Sequence, residues 1–363
     1  MANSRELTSA AKAKKDEFYT QLTDIEKEMR YYRKHFKGKT VLCNCDDPFE
    51  SNFFKYFVLN FNRLGLKKLI VTCYATSPIM GQQLSLFDVV GGEEEQRNKP
   101  YKAVVTKVYD VTGDGGVDMF DVAELFKTHE NELVELKGDG DFRSEECLAL
   151  LDEADIVVTN PPFSLFREYV AVLMEHEKHF IIIGNVNAVT YKEFFPLIRD
   201  NKVWFGASIH SGDRKFYVPD DYPLNAAGCG IDEDGRRFIR VKGVRWYTNL
   251  DLKQRHEEMI LVKRYTPEAY PRFDNYDAIN VDKTVDIPCD YAGAMGVPIT
   301  FLDKYSPDQF EILDARDIAE SDKQRKKSTL LIKDADSAIS GKPKYARIAI
   351  RNKHPEQPKE VQQ

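Results

Sequence analysis

The chain has 363 residues, 42% of them hydrophobic, and a formal net charge of −7. This is the profile of a soluble globular protein with a sizeable core, as one large domain or two ordinary ones. No run of eighteen apolar residues occurs and the first twenty residues lack the apolar stretch of a signal peptide, which argues against a membrane span or secretion and leads us to expect a cytoplasmic protein.

Six cysteines (Cys43, Cys45, Cys73, Cys147, Cys229 and Cys289) include no C-x-x-C pair, so they read as reduced, mostly buried thiols rather than a zinc site. His176, His179, His210 and His256 show no metal-ligand spacing either, and no metal is expected. Charge is unevenly distributed. Residues 88–155 hold 19 acidic and 7 basic side chains, a net of −12, whereas 236–264 hold 9 basic and 3 acidic and 316–353 hold 11 basic and 5 acidic, a net of +6 each. Two basic stretches in the same half of the chain point to an anionic partner met by that half.

In chain order, "TQLTDIEKEMRYYRKHF" places Leu22, Ile25, Met29, Tyr32 and Phe36 on one helical face, and Gly38 ends it. "KTVLCNCDD" is a short β-rich run. "SNFFKYFVLNFNRLG" returns to helical spacing, with Ser51 or Asn52 as cap and Gly65 as terminator, and "KKLIVTCY" is a second strand. Strand, helix and strand within about forty residues signal a parallel sheet with crossover helices. Residues 75–139 weaken the pattern. They contain a Gly- and Glu-rich tract, the strand "YKAVVTKVYDV" and the turn "TGDGG", and read as an insertion (about 76–137) with a hairpin of its own.

The main pattern resumes with the helix "SEECLALLDEA", the strand "DIVVTN", the helix "SLFREYVAVLMEHE" and the strand "HFIIIGNVN", then the helix "TYKEFFPLIRDN" and the strand "KVWFGASIH". Continuous apolar strands such as Ile156-Val157-Val158 imply burial on both sheet faces. After about residue 210, short alternating strands with turn signals predict a mixed or mainly β region. The expected division is a catalytic α/β domain over 1–210 and a second region over 211–363, with a boundary near Ser211.

Ligands of open parallel sheets bind at the carboxyl ends of the strands. Those ends present Asp46-Asp47-Pro48, then Gly138-Asp139-Gly140-Asp141-Phe142, and then Asn160-Pro161-Pro162-Phe163. The last has a specific chemical use. The amino nitrogen of adenine is a poor nucleophile because its lone pair is delocalised into the ring. A side-chain carbonyl from Asn160 and a backbone carbonyl from Pro161, accepting its two N–H hydrogens, favour a more tetrahedral nitrogen whose lone pair faces an electrophile. Proline holds φ near −65° and offers only an acceptor, and Phe163 supplies a stacking face. The plain rival is that the two prolines merely break the strand and Phe163 packs in the core.

"DIVVTNPPF" (155–163) resembles the (D/N/S)-P-P-(Y/F) motif of N6-adenine DNA methyltransferases, and "DEFYTQ" (16–21) resembles their N-terminal cofactor motif. Together with "CNCDDP", "SNFFKYF", "GLKKLI", "GDGDFRS", "TNPPFSLF", "WYTNLD", "FDNYDAINV" and "GVPITFL", these resemble the EcoRI-type adenine-specific methyltransferase family across nearly the whole chain. The resemblance implies a class I S-adenosylmethionine-dependent methyltransferase fold, Rossmann-like with a mostly parallel sheet. It also implies a C-terminal target-recognition region, S-adenosyl-L-methionine as methyl donor and a flipped adenine in double-stranded DNA as substrate. By the same resemblance, Asn160, Pro161, Pro162 and Phe163 hold and stack the base, while Phe18, Tyr19, Thr20, Asn44, Asp46, Asp47, Asp141, Phe142 and Asn160 contact the cofactor. Departures are the Asp46-Asp47-Pro48-Phe49 stretch where the family pattern has a glycine-rich loop, and Cys73-Tyr74 where a ribose-binding acid is usual.

Among the basic residues of the C-terminal half, Arg236, Arg237, Arg240, Lys242 and Arg245 are the expected DNA contacts. A restriction endonuclease sharing the same site is a conceivable partner, and a monomer suffices to methylate one strand. Rival readings are a methyltransferase acting on RNA bases or protein glutamine, and a catalytically silent DNA-binding protein of the same fold.

Overall fold

The computed structural model describes residues 18–45, 51–72, 100–218, 222–225, 227–332, 339 and 345–357. It divides into two compact units: 1–186 with 211–250, and 187–210 with 251–363.

In the first unit, the expected N-terminal helix forms as α1 (Leu22–Met29) and α2 (Arg33–Phe36). It breaks where the N–H groups of Tyr31 and Tyr32 bond to carbonyls three residues back, tightening one turn. Ile25, Met29, Tyr32 and Phe36 are all fully buried, as their spacing requires. Next come the wholly buried β1 (Thr40–Asn44), then α3 (Asn52–Leu59), α4 (Phe61–Leu64) and β2 (Lys68–Thr72). Ser51 caps α3 by accepting from the N–H groups of Phe53 and Phe54, and Gly65 ends α4 at φ 64°.

Strands β3 (Tyr101–Val105) and β4 (Glu132–Glu135) flank α5 (Met119–Lys127). The expected free-standing hairpin is corrected here: β3 pairs antiparallel with β2 (Leu69 opposite Val105) and β4 pairs antiparallel with β3, so both extend the main sheet. Two reversals make β4 run in the same direction as β1. The acidic loop before α5 satisfies itself: Asp121 accepts from the N–H groups of Val111, Thr112 and Asp118, and Asp110 from those of Gly113 and Gly115. The Gly- and Glu-rich tract lies outside the described residues.

The unit continues with α6 (Glu145–Glu153), β5 (Ile156–Thr159), α7 (Phe166–Glu175) and β6 (His179–Asn185). The second unit's segment 187–210 follows, carrying α8 (Phe195–Arg199) and β7 (Trp204–Phe205). The chain then returns with β8 (Asp213–Tyr217), β9 (Gly230–Ile231), β10 (Arg237–Lys242) and β11 (Val244–Thr248). The seven main-sheet strands of this unit run β4-β3-β2-β1-β5-β6-β11, with β2, β1, β5 and β6 mutually parallel.

The boundary expected near Ser211 therefore does not detach the C-terminal half. Residues 211–250 stay in the first unit because β11 pairs antiparallel with β6 and the backbone of Tyr19 pairs with that of Tyr217. Strands β8, β10 and β9 form a small antiparallel sheet.

The second unit adds β12 (Ala278–Asn280), β13 (Ala294–Pro298), β14 (Phe310–Leu313), α9 (Asp322–Lys327) and β15 (Arg347–Asn352). Its sheet runs β12-β13-β15-β14 over a core that includes Phe273, Tyr276, Ile332 and Ala349. Among the described residues no helix is long and apolar enough to cross a membrane.

Candidate active site

The carboxyl ends of β1, β4 and β5 lie on one edge of the main sheet, because these strands share a direction. Thr159, the last residue of β5, donates its hydroxyl to the Asn44 carbonyl at 2.7 Å and ties two of these ends together. At the opposite end of β5, Asp155 is structural. Burial pushes its carboxyl up, but the Thr40 N–H at 2.8 Å and the Lys39 ammonium at 3.0 Å outweigh burial and hold it below the usual carboxylate range.

Asn160 is 6% exposed and its Nδ2 donates to the Phe18 carbonyl at 2.8 Å. A carbonyl can only accept, so this bond fixes which way the amide points. The consequence is that Oδ1 is turned away, buried, and without a hydrogen-bond partner. An unsatisfied buried acceptor costs about 1–3 kcal/mol, and such an atom in a folded protein calls for a functional reason. The next residue repeats the theme. The Pro162 carbonyl is consumed by the Leu165 N–H at 3.0 Å, but that of Pro161 accepts no hydrogen bond among the described residues. Two adjacent open acceptors thus stand where the sequence placed them.

Phe163, half-buried, meets Phe18 edge-on at 5.9 Å and Phe216 at 6.4 Å. Phe18 also packs against Phe216 and Tyr222, each at 6.0 Å. Phe216 and Tyr222 escaped the sequence reading because they lie beyond the expected boundary; the aromatic run "FYVPDDY" was their only signal. They come into place through the pairing of Tyr19 with Tyr217, which sets β8 alongside the N-terminal segment.

On that segment, Thr20 Oγ1 and Gln21 Nε2 are buried without partners. Asn44 is 4% exposed and accepts a short hydrogen bond from the Tyr169 hydroxyl on α7. Phe142 packs edge-on against the Tyr169 ring at 5.0 Å. Asp141 is gripped at both oxygens by Arg143, which also reaches Glu168 at 2.8 Å. Asp46 and Asp47 lie outside the described residues, as do Pro48, Phe49, Cys73 and Tyr74. The turn that follows β1 without a glycine is visible at Cys45, whose φ is 87°.

The expected DNA contacts separate. Arg245 is 4% exposed within β11, and its Nη1 donates to the Val244 carbonyl at 2.8 Å, so burial in the sheet removes it from the expected surface set. Arg236 pairs with Asp232 and Asp234 and lies over the Tyr217 ring, and Arg237 donates to the Tyr222 carbonyl at 2.8 Å. Arg240 and Lys242 keep exposed charges.

A mostly parallel sheet with two open acceptors and a cluster of aromatic rings at its strand ends is the arrangement of a class I methyltransferase directed at a planar amino nitrogen. The family model for the adenine-specific methyltransferase EcoRI matches residues 6–353, and the chain belongs to that family of adenine-specific DNA methyltransferases. The type II methyltransferase M.EcoRI of Escherichia coli is 45% identical over 355 residues, covering 97% of this chain and 98% of that protein. Type II methyltransferases of Mycoplasma pneumoniae (M.MpnI) and Mycoplasma genitalium (M.MgeORF184P) are each 35% identical, over 354 and 350 residues, covering 95% and 94% of this chain and 97% of each of those proteins. No solved structure matches the chain. The protein is therefore an enzyme of site-specific adenine methylation, acting on DNA with a methyl donor.

Proposed function

We propose that the enzyme transfers a methyl group from S-adenosylmethionine to N6 of an adenine flipped out of double-stranded DNA, as the modification half of a type II system. The observation that carries this reading is the pair of open acceptors, Asn160 Oδ1 and the Pro161 carbonyl, beside the Phe163 ring. A base inside the duplex cannot reach them, and pocket contacts must offset the unstacking cost of a few kcal/mol. Phe163 stacks on the extruded adenine, with Phe18 and Phe216 supporting Phe163 from its edges. Asn160 and Pro161 then accept the two amino hydrogens and orient the nitrogen lone pair. The proton that must leave after transfer sits on a positively charged nitrogen, so no strong base is required.

S-adenosylmethionine, when bound, supplies an electrophilic sulfonium methyl group. Two buried polar groups without partners suit such a ligand, Thr20 Oγ1 and Gln21 Nε2, and Asn44 at the end of β1 is a third proposed contact. Phe18, Tyr19, Asp46, Asp47, Asp141 and Phe142 complete the proposed cofactor contacts, with Asp141 acting through oxygens that Arg143 already shares.

The second unit is the proposed target-recognition region. Arg240 and Lys242 in the first unit, and Lys323, Arg325, Lys326 and Lys327 on α9, are exposed cations suited to phosphates. None of the four on α9 forms an ion pair among the described residues, whereas Arg264, Arg272 and Arg351 in the same unit are all paired with carboxylates. Action as a cytoplasmic monomer alongside an endonuclease that cuts the same site completes the reading.

The test is incubation of the purified chain and its Asn160→Ala variant with tritiated S-adenosylmethionine and DNA, followed by nucleoside analysis. The wild type should yield N6-methyladenine, and the variant should lose turnover by about 10²-fold or more while still binding the cofactor. Unchanged turnover in the variant would sink the assignment.

A further inference from the structure

The second unit carries an open strand edge in the segment "EEMILVKR" (257–264). Ile260 is 91% exposed and Val262 74% exposed, while Met259 and Leu261 are half-buried. The Met259 N–H donates to Gln309 Oε1 at 2.8 Å, its carbonyl accepts from Gln309 Nε2 at 2.9 Å, and the Lys263 carbonyl accepts from the Cys289 N–H at 2.8 Å. In an extended strand alternate residues turn their backbone groups to the same edge, so Met259, Leu261 and Lys263 face the body of the unit and Ile260 and Val262 face away. The N–H and carbonyl groups of Ile260 and Val262 make no hydrogen bond among the described residues. Open backbone groups beside exposed β-branched side chains are a template for another strand, and no proline, bulge or central charge blunts this one.

We propose that this segment pairs with the same segment of a second copy of the chain, antiparallel about a two-fold axis at Leu261. In that register Ile260 lies opposite Val262 of the second copy and each pair exchanges its N–H and carbonyl bonds, so every open backbone group on these two residues is satisfied. Their side chains, from both copies, form one apolar cluster on the exposed face. Charge selects the antiparallel arrangement. Glu258 faces Arg264 of the second copy and Glu257 lies diagonally beside Lys263 of the second copy, whereas parallel pairing would set acid against acid and base against base. Glu257, Glu258 and Lys263 form no ion pair among the described residues, and Arg264, held by Asp290 and Glu356, keeps 49% of its side chain exposed. A two-fold axis uses the same patch twice, which is why one self-complementary segment suffices. So short a segment falls well below the roughly 20–30 residues a side of a stable interface, so the dissociation constant is about 10–100 μM and the chain acting on DNA at nanomolar concentration stays the monomer proposed above.

Sedimentation velocity of the full chain over about 1–200 μM reads the association, and the wild type should shift from the mass of one chain toward that of two. Val262→Pro removes an N–H that the single chain does not use, and Ile260→Lys sets like charges beside the axis. Each should raise the dissociation constant by about tenfold or more while leaving the thermal melt unchanged, because both side chains are exposed. A cysteine pair reads the register. The two Leu261 residues would form a non-hydrogen-bonded pair with Cα atoms about 4.5 Å apart, within disulfide reach. Leu261→Cys should therefore be trapped as a covalent dimer on mild oxidation and Val262→Cys should not, with the wild type as control for the native cysteines.

A wild type that stays monomeric across the range would overturn the proposal. So would association that Val262→Pro and Ile260→Lys leave unchanged, since another surface would then carry it. Trapping of Val262→Cys as readily as Leu261→Cys would overturn the two-fold axis at Leu261.

Discussion

The helix that follows Asn160 to Phe163 begins with a contact that leaves no room for one extra carbon. Gly184 lies on β6 opposite Arg245 of β11, and a Cβ there would sit 2.4 Å from Cε2 and 2.7 Å from Cζ of Phe166. Carbon atoms pack at about 3.5–4.0 Å, so in Gly184→Ala the ring must retreat by about 1 Å. It cannot swing into solvent, because Phe166 is 3% exposed and its ring lies 5.2 Å from that of Tyr247.

Overpacking of this kind costs about 1–3 kcal/mol, which for a domain of this size lowers Tm by about 4–8 °C at the middle of that range. Phe166 is also the first residue of α7, three positions after Phe163. A shift of about 1 Å in the loop proposed above to hold the reacting base can cost about 10² in rate, so kcat should fall by about 10- to 100-fold. Affinity for the cofactor should change little. Thermal melts and methyl-transfer kinetics of Gly184→Ala, Phe166→Leu and the double variant form the assay, with the second change expected to recover much of both losses by making room. Wild-type Tm and kcat in Gly184→Ala would refute the close packing. A lowered Tm with unchanged kcat would show that Phe166 does not position the loop.

Other expectations follow from separate features. His256 bonds to Asp251 at 2.8 Å and Asp308 at 2.7 Å, and these two carboxylates, outweighing partial burial, raise its pKa above the ordinary 6.5. A raised folded pKa stabilises below the unfolded value, so the Tm difference between wild type and His256→Gln should be full below about pH 6.5 and shrink as pH rises through the higher folded pKa; a pH-independent difference would contradict this. Helix α9 is about 9 Å long and phosphates of one DNA strand recur every 3.4 Å, so two or three fall alongside it. In K323Q/R325Q/K326Q/K327Q the slope of log K against log salt, read by anisotropy on a random-sequence duplex, should therefore become shallower by about 2. An unchanged slope would exclude this helix as a phosphate contact. Cys45→Gly should relieve the left-handed turn and leave stability level or raise it by up to about 1 kcal/mol in urea melts, whereas Cys45→Val should destabilise.

Much was legible in sequence because it is encoded locally. The continuous apolar runs of β5 and β6 announced strands buried on both faces, Ser51 and Gly65 bounded their helical segment, and Asn160 to Phe163 marked the end of β5 in four consecutive residues. Only tertiary structure could decide the rest, since strand neighbours and amide orientations depend on groups far apart in the chain. Period-two alternation shows that 101–105 is a strand but not that it pairs with β2 instead of closing its own hairpin. The basic run over 236–245 looks uniform along the sequence. Pairing of β11 with β6 buries Arg245, while Arg240 and Lys242 on β10 stay in solvent. The same holds for Asn160. It was readable as a polar residue at a strand end, but that its amide offers an acceptor is set by what lies beside it, a backbone carbonyl 142 residues away that can only accept.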